Sequence, residues 1–405
     1  MEWPLSRQVP AGEGNMMVSV DIDRPLTLEE GDQLAIGINS PYKPYDETWM
    51  ETEILEITYH AKGRELTGEN AISVIDPQTL MNKYLDLITG TAGYYNALIQ
   101  WRPADYGIKI VAAESLRGFP EATLHGAAND LVDWLYVLGY DYEVDDNTII
   151  FRDRDNFFRP DLTAIELRKD EVKLQDFIVE ADDEFTFSSF KIGYDKKDHE
   201  SANGRFEANN GVFDFSTGYL CGKEKIKELI SPYRADAIGM ELLCWNRNSR
   251  TTDNKSDNDI FFVALVGDAG VYKEYKGIVI TDESNGDLKM FNAPFNPYFL
   301  VSNNESLIGI STQQLEFTGC EGNRTARITG VSNIYADHSI SKKLFESYVY
   351  NFVVGSERGL PVDIDRNGLV YIPYEDRMLT GYIKDVGSTP AATKQRTWDI
   401  WAYKG

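Results

Sequence analysis

Four histidines, His60, His125, His199 and His338, and three cysteines, Cys221, Cys244 and Cys320, are the side chains of this 405-residue sequence best suited to hold a metal or act as nucleophiles. Their spacing supports neither role. The histidines stand alone, without an HExxH or HxH pattern or a cysteine nearby, so the metallohydrolase arrangements are absent. The cysteines are widely separated, show no CxxC pair and cannot all form disulfides, which leaves buried structural thiols as the expectation. His125 follows Leu124 and is expected on a helix surface facing solvent or a partner, and His199 falls in a charged loop. No GxSxG, GxxxxGK[ST] or GxGxxG motif supplies a nucleophile elbow, a phosphate cradle or a dinucleotide site. With 65 acidic residues, carboxylate pairs are plentiful, and nothing singles out one pair as the acid and base of glycoside cleavage. The expectation is a protein that is not an enzyme, with no catalytic, cofactor-binding or metal residue and no cofactor.

Two stretches come near to calcium loops. Asp363-Ile-Asp365-Arg-Asn367-Gly368 fits the first half of such a loop, but position twelve, which needs a bidentate glutamate, is Tyr374, and Glu375 comes one residue late. A β-hairpin accounts for the same letters better, because Asn-Gly is a preferred type I′ turn between Val362-Asp-Ile and Leu369-Val-Tyr-Ile. The Asp253 to Asp259 cluster lacks the glycine that bends a calcium loop and reads as a solvated loop. Sequence alone leaves calcium open at both places. Among the aromatic residues, 23 Tyr, 19 Phe and 7 Trp, most must fill cores. The segment Asn292-Ala-Pro-Phe-Asn-Pro-Tyr298 reads as an exposed contact loop between strands.

The elements that would position these residues follow from periodicity. Leu124, Ala127, Ala128, Leu131, Leu135 and Leu138 recur at helical spacing, with Pro120 suited to the first turn and Gly139 to the stop. Tyr140, Tyr142 and Val144 then alternate with acidic residues, Asp145-Asp146-Asn147 turns, and Thr148 to Phe151 forms a second strand, giving a helix and hairpin over 119–153. Asp76-Pro77 opens another helix through Leu80, Tyr84, Leu87 and Ile88, whereas the stretch from Gly90 to Trp101 has no clear pattern. Strand patterns fill residues 16–75 and return at Leu174–Val179, Phe185–Tyr194, Gly211–Phe215, Ile260–Val266, Gly277–Ile280, Gln314–Phe317, Tyr348–Val354, Leu369–Ile372, Gly381–Val386 and Trp398–Tyr403. The run Lys223-Glu-Lys-Ile-Lys-Glu-Leu-Ile is helix-prone.

These elements predict a mainly β protein with α+β modules, organised as a first β-rich domain at 1–78, an α+β module at 79–156, a second β-rich domain at 157–335 with an inserted segment near 223–259, and a C-terminal β-rich segment at 336–405. A net charge of −25 disfavours gripping phosphates by counterion release, yet suits a wall past which nucleic acid slides. No run of apolar residues is long enough to span a bilayer, so no membrane insertion is expected, and the start at Met1-Glu-Trp-Pro has no export-signal pattern, which points to folding in the cytosol.

The order of four pieces resembles the baseplate hub of contractile-tail phages and the tail-tip, or tail-associated, proteins of siphophages. They are the sheet ending in Ile54-Leu-Glu-Ile-Thr-Tyr-His-Ala-Lys-Gly-Arg-Glu-Leu-Thr67, the helix and hairpin at 119–153, Lys191-Ile-Gly-Tyr-Asp-Lys196 opening a new β block, and the closing Gly381-Tyr-Ile-Lys-Asp-Val386. Lys191 to Asn209, Ser231-Pro-Tyr-Arg-Ala-Asp236 and Thr252 to Val263 are also similar to tail proteins of Bacteroidetes-type phages and prophages. The resemblance implies two small tube-like β-barrel domains per chain with inserted α+β domains. It implies a homotrimer, with a hexamer as the alternative, that links the tail tube to distal tail and fibre proteins. Genomic DNA would pass through the lumen without specific binding, and the protein would sit at the tail tip of the virion after assembly in the host cytoplasm. A distal-tail ring, a fibre adaptor and a cell-wall-degrading tail enzyme are the alternatives.

Overall fold

The computed structural model describes residues 72–102, 107–168, 173–195, 211–218, 224–245, 256–268, 271–274, 278–282, 286–290, 292, 295–320, 327–328, 337–355, 364–388 and 395–403. The chain divides after Gly68, and every described residue belongs to the second unit, Glu69–Gly405. Of the strand expectations for 16–75, the part at 16–71, and with it the residues His60, His199, Cys221, Asp253 and Asp363, lies outside the described residues.

In chain order the first elements are α1 (Pro77–Thr89), β1 (Asn96–Gln100), β2 (Gly107–Ala112), α2 (Ala113–Leu116), α3 (Ala128–Val137), β3 (Tyr140–Asp145), β4 (Thr148–Asp153), α4 (Arg154–Phe157), β5 (Arg159–Glu166) and β6 (Lys173–Ala181). Then come β7 (Ser189–Tyr194), β8 (Val212–Ser216), β9 (Ile226–Ser231), α5 (Ala237–Trp245), β10 (Ile260–Asp268), β11 (Val271–Glu274), β12 (Ile278–Asp282) and β13 (Gly286–Met290). The last are α6 (Pro297–Asn303), α7 (Glu305–Ile308), β14 (Gln314–Cys320), β15 (Arg327–Ile328), β16 (His338–Ser339), β17 (Tyr348–Gly355), β18 (Gly368–Tyr374), β19 (Arg377–Ser388) and β20 (Gln395–Tyr403). The protein is mainly β with several sheets, and among the described residues the strands form five of them. None of the five closes into a barrel among the described residues.

Helix α1 starts where Asp76 and Pro77 place it: the Asp76 carboxylate caps the N–H groups of Gln78 and Thr79, and Gly90 ends the helix in the left-handed conformation. One face of α1 then protects the open edge of the three-stranded sheet β1-β4-β3. Asn82 Oδ1 accepts from Ala97 N at 2.6 Å and Gln78 Oε1 from Ile99 N at 3.0 Å. Two side chains four residues apart on a helix thus meet alternate N–H groups of a strand, which is how the 3.6 and 2.0 periods match. β1 itself, in the stretch without a clear sequence pattern, pairs parallel with β4.

The β3–β4 hairpin forms where expected, with Asp146 at positive φ in its turn. The helix before it is shorter than periodicity predicts: α3 begins at Ala128, and Pro120 lies outside it. The Glu114 carboxylate takes Thr123 N–H at 2.6 Å and holds the preceding segment out of helical form. Gly126 lies so close to Ile260 and Tyr84 that a Cβ there would come within 2.7 Å of the Ile260 side chain. At the other end Gly139 has φ +92° and its Cα faces the Asn303 carbonyl, where a Cβ would approach to 2.5 Å. Only glycine satisfies both demands.

The helix-prone run near 223–230 is instead β9, paired parallel with β7 and burying Leu229 and Ser231. A Lys/Glu-rich composition favours helix only weakly, and completing the five-stranded sheet β16-β14-β8-β7-β9 outweighs it. The main core lies between this sheet, α1, α3, α6 and the strands β1 and β10, with fully buried Trp134 at its centre against Trp101, Tyr233 and Phe262.

The six-stranded sheet β5-β18-β19-β20-β17-β6 has its own core. Trp398, Ile400 and Ala402 of β20 alternate inward with Tyr350, Phe352 and Val354 of β17 and Val370 and Ile372 of β18. Register shifts interrupt three of its pairings, one of them at Asp176, which takes φ 51°. Bulges increase local twist and bend a strand, so the sheet curls around this core. Its other face packs on the rest of the molecule through Trp401, which stacks on Phe345 at 4.8 Å and meets Phe185 edge-on.

Candidate functional site

The hairpin expected across 362–372 gives way to a different arrangement at Ile364–Gly368, the described part of the near-match to a calcium loop. Ile364 and Asp365 form no strand, and β18 has β5 and β19 as its neighbours, so the Asn-Gly hairpin to Val362-Asp-Ile is not formed among the described residues. Parallel pairing with β5 occupies the edge that such a hairpin would have used. Asp365 makes an ion pair with Arg159 at 2.6 Å and accepts from Asn367 N at 3.0 Å, while Gly368 N bonds Asp365 O at 3.2 Å to complete a tight turn. The Asn367 amide donates to Glu143 on β3. Glu375 lies in the β18–β19 turn at positive φ, away from this loop. Among the described residues no group of three His, Cys, Asp or Glu side chains converges as a metal site would require.

At 256–259, the described part of the Asp253–Asp259 cluster, the solvated-loop expectation also gives way. Arg117 is fully buried, and its Nη1 donates to both Asp257 oxygens at 2.5 and 2.6 Å. Asp259 accepts from Arg234 at 3.0 Å. A buried guanidinium needs a carboxylate within reach, and this acidic stretch supplies two. The described residues of the 292–298 segment, Asn292 and Phe295 to Tyr298, are likewise structural rather than an exposed loop. Asn292 is buried at φ 59°, accepts from Ala264 N at 3.1 Å and donates to Phe262 O at 2.8 Å and Ala235 O at 3.2 Å. Phe295 is core, and Asn296 caps α6 at Tyr298 N. The aromatic and proline content that suggests a contact loop here serves to seat a chain crossing against the β10 strand.

His125 lies before α3 rather than on it, exposed, with Nε2 3.0 Å from Glu114. His338 is half-buried and meets Glu305 at 2.9 Å. Burial raises the Glu305 carboxyl, but bonds from His338 and Ser341 outweigh it and hold the group below the usual carboxylate range. Cys244 is a partly buried cysteine on α5, packed against the cluster of Val111, Leu116, Met240 and Phe261.

Several polar side chains that no sequence motif marks tie the parts together. Arg154 is buried and donates to Asp141 at 2.7 Å, to Tyr136 O at 3.2 Å and to Asn304 Oδ1, with its guanidinium 4.4 Å from the Tyr136 ring centre. Asn304 in turn donates to Val137 O and Leu300 O. Arg154 and Asn304 thus join the helix-hairpin to α6 and α7. On the curled sheet, Asp182 accepts from Lys384 at 2.8 Å and from Trp401 Nε1 at 3.0 Å. Burial acts to raise its carboxyl, but the bonds from Lys384 and the Glu184 N–H prevail and lower it. Asp399 shows the opposite balance: burial first, then the charge of Asp385 directly across the ladder, raises it. This cross-strand carboxylate pair lies on the face opposite inward-pointing Trp398 and Ile400.

A shallow hollow of about 490 Å³ lies between α3 and β9, lined by Asp133, Tyr136, Asp195, Lys227, Glu228 and Ser231 among others. The Ser231 hydroxyl donates to Tyr233 O, and the Lys227 ammonium lies 5.1 Å from the Tyr136 ring centre. The described residues also present outer sheet strands and exposed apolar side chains. Compared with protein-family models, curated proteins and solved structures, the chain matches none.

Proposed function

We propose that the protein is a structural component of a phage tail, a baseplate hub or tail-tip subunit that forms a threefold ring around the DNA channel. The observation that carries this reading is the curled six-stranded sheet. It bends around its own core without closing, and among the described residues β5 and β6 are its outer strands. Along β6, residues Ile178 to Ala181 are all exposed, two of them large and apolar. An edge of this length with apolar side chains invites a neighbouring strand unless it is covered. A ring of copies would cover it and complete a barrel-like wall, and the charge of −25 would keep nucleic acid sliding past that wall rather than sticking to it. The two-barrel, hub-like arrangement and the virion location belong to this proposal. They rest on the sequence resemblance together with the mainly β architecture.

Sedimentation velocity of the purified chain, with electron microscopy of the assembled particle, tests it. The expected result is a species of three times the chain mass, arranged around a hollow axis. Introducing I178K and V179K should shift it to monomer while leaving the fold intact by circular dichroism. A monomer at all concentrations and in the particle would end the reading, and a sixfold ring would replace the hub with a distal-tail ring.

A further inference from the structure

A second surface, remote in sequence from the sheet edge just described, has its own chemistry. At one end of the α+β portion, exposed apolar side chains gather from three elements: Leu87 (70% exposed) and Ile88 (69%) at the C-terminus of α1, Tyr94 (53%) in the following loop, and Val144 (58%) at the end of β3. Backbone geometry brings these to the same end. Gly93 N bonds the Asp86 carboxylate at 2.7 Å, which ties the loop to the helix terminus, and Asn96 N bonds Asn147 O at 2.9 Å, which ties it to the hairpin turn. The β1–β4–β3 register aligns Ala97 with Ile149 and Ile149 with Val144. Leu87 and Ile88 continue the helix beyond the stretch whose Gln78 and Asn82 meet β1, so they project past the sheet rather than onto it.

The surroundings are acidic. Asp145 and Asp146 are exposed in the hairpin turn and Asp86 lies on α1, against Lys83 one turn earlier on the helix. An apolar centre with a polar rim is the layout of a protein-binding patch. Its charge selects the occupant. A second copy presenting this same end would set acidic rim against acidic rim, and an anionic bilayer or a nucleic acid would also meet like charge at Asp145 and Asp146. We infer that the end of the α+β portion formed by Leu87, Ile88, Tyr94 and Val144 docks a different protein, whose contact surface is apolar at the centre and rich in Lys or Arg at the rim. This inference rests on the surface alone and stands or falls separately from the ring reading, whose test is stoichiometry.

The test uses the full chain and defined probes: a labelled amphipathic Lys/Leu helical peptide, its Glu/Leu counterpart, and phosphatidylglycerol vesicles. Fluorescence anisotropy should show saturable binding of the Lys/Leu peptide and none of the Glu/Leu peptide. The variant L87S/I88S/Y94S leaves net charge unchanged, so it separates the patch from general attraction to an acidic protein. It should weaken Lys/Leu binding at least tenfold, and D145N/D146N should weaken it about threefold at low salt, both with unchanged circular dichroism. M378S, an exposed apolar residue elsewhere, should have no effect. Equal affinity of wild type and L87S/I88S/Y94S would overturn the proposal. Wild-type self-association abolished by L87S/I88S/Y94S, or vesicle binding abolished by it, would overturn it in favour of a second copy or a membrane.

Discussion

Phe177 on β6 stacks against Tyr374 at the end of β18 with ring centres 4.1 Å apart, although their strands stand four places apart in the same sheet. In a flat sheet at about 4.8 Å per strand, they would be separated by roughly 19 Å. The contact therefore measures how far the sheet has curled. Phe177 also lies over Tyr350 and Phe352, so a single ring bridges the open side of the core. Removing it should loosen the curl: Phe177→Ala is expected to cost about 2 to 3 kcal/mol. A double-mutant cycle with Tyr374→Ala should give about 0.5 to 1.5 kcal/mol of coupling in urea denaturation. Strictly additive effects would mean that the two rings do not hold the sheet together.

Arg117 depends on a stretch more than a hundred residues away. Because Asp257 faces a fully buried guanidinium, Asp257→Asn should destabilise the protein by about 3 to 5 kcal/mol, the cost of leaving a buried charge without its counter-ion. Combining it with Arg117→Met should recover part of the loss. Chemical denaturation of the two variants decides the matter, and a double variant no more stable than Asp257→Asn alone would contradict the account.

Asn292 combines a left-handed backbone with three buried hydrogen bonds, which makes two substitutions informative together. Asn292→Gly loses the amide only, whereas Asn292→Ala also forces a Cβ into the left-handed region. The alanine variant should be less stable than the glycine variant by about 1 kcal/mol, and both should fall well below wild type. Equal stability of all three proteins would restore the view of this segment as an exposed loop.

The Asp182 carboxyl is held below its ordinary value of 3.8 despite burial, because Lys384 and the Glu184 N–H bond its ionised form. A carboxylate with a depressed folded value binds its proton more weakly when folded than when unfolded. Its contribution is thus fully present above about pH 4 and is lost as pH falls through the folded value. Asp182→Asn should cost about 2 kcal/mol at pH 7, and the gap to wild type should shrink below pH 4. Emission from Trp401, whose indole N–H bonds Asp182, gives a local readout. A gap independent of pH would show that the carboxylate charge is not what matters.

Much of the local structure is legible in the chain. Asp76-Pro77 and Gly90 bracket α1, Gly139 ends α3, Asp145-Asp146-Asn147 turns the hairpin, and alternating apolar residues mark β17, β18, β19 and β20, because capping, left-handed turns and two-residue periodicity are properties of a few adjacent residues. Which strands become neighbours is another matter. β5 and β6 join strands well over a hundred residues further on, and the Lys/Glu-rich run supplies strand at Ile226–Ser231 only because β7 offers an edge. The polar residues that matter most, Arg117, Arg154, Asn292 and Asn304, carry no local mark, since a buried guanidinium or amide is set by partners that the fold brings from far away. Short-range sterics and hydrogen bonding wrote the elements into the sequence. Long-range pairing and the need to match buried charges and amides such as Arg117, Arg154, Asn292 and Asn304 with partners decided how those elements meet, and with them which surfaces remain for a partner.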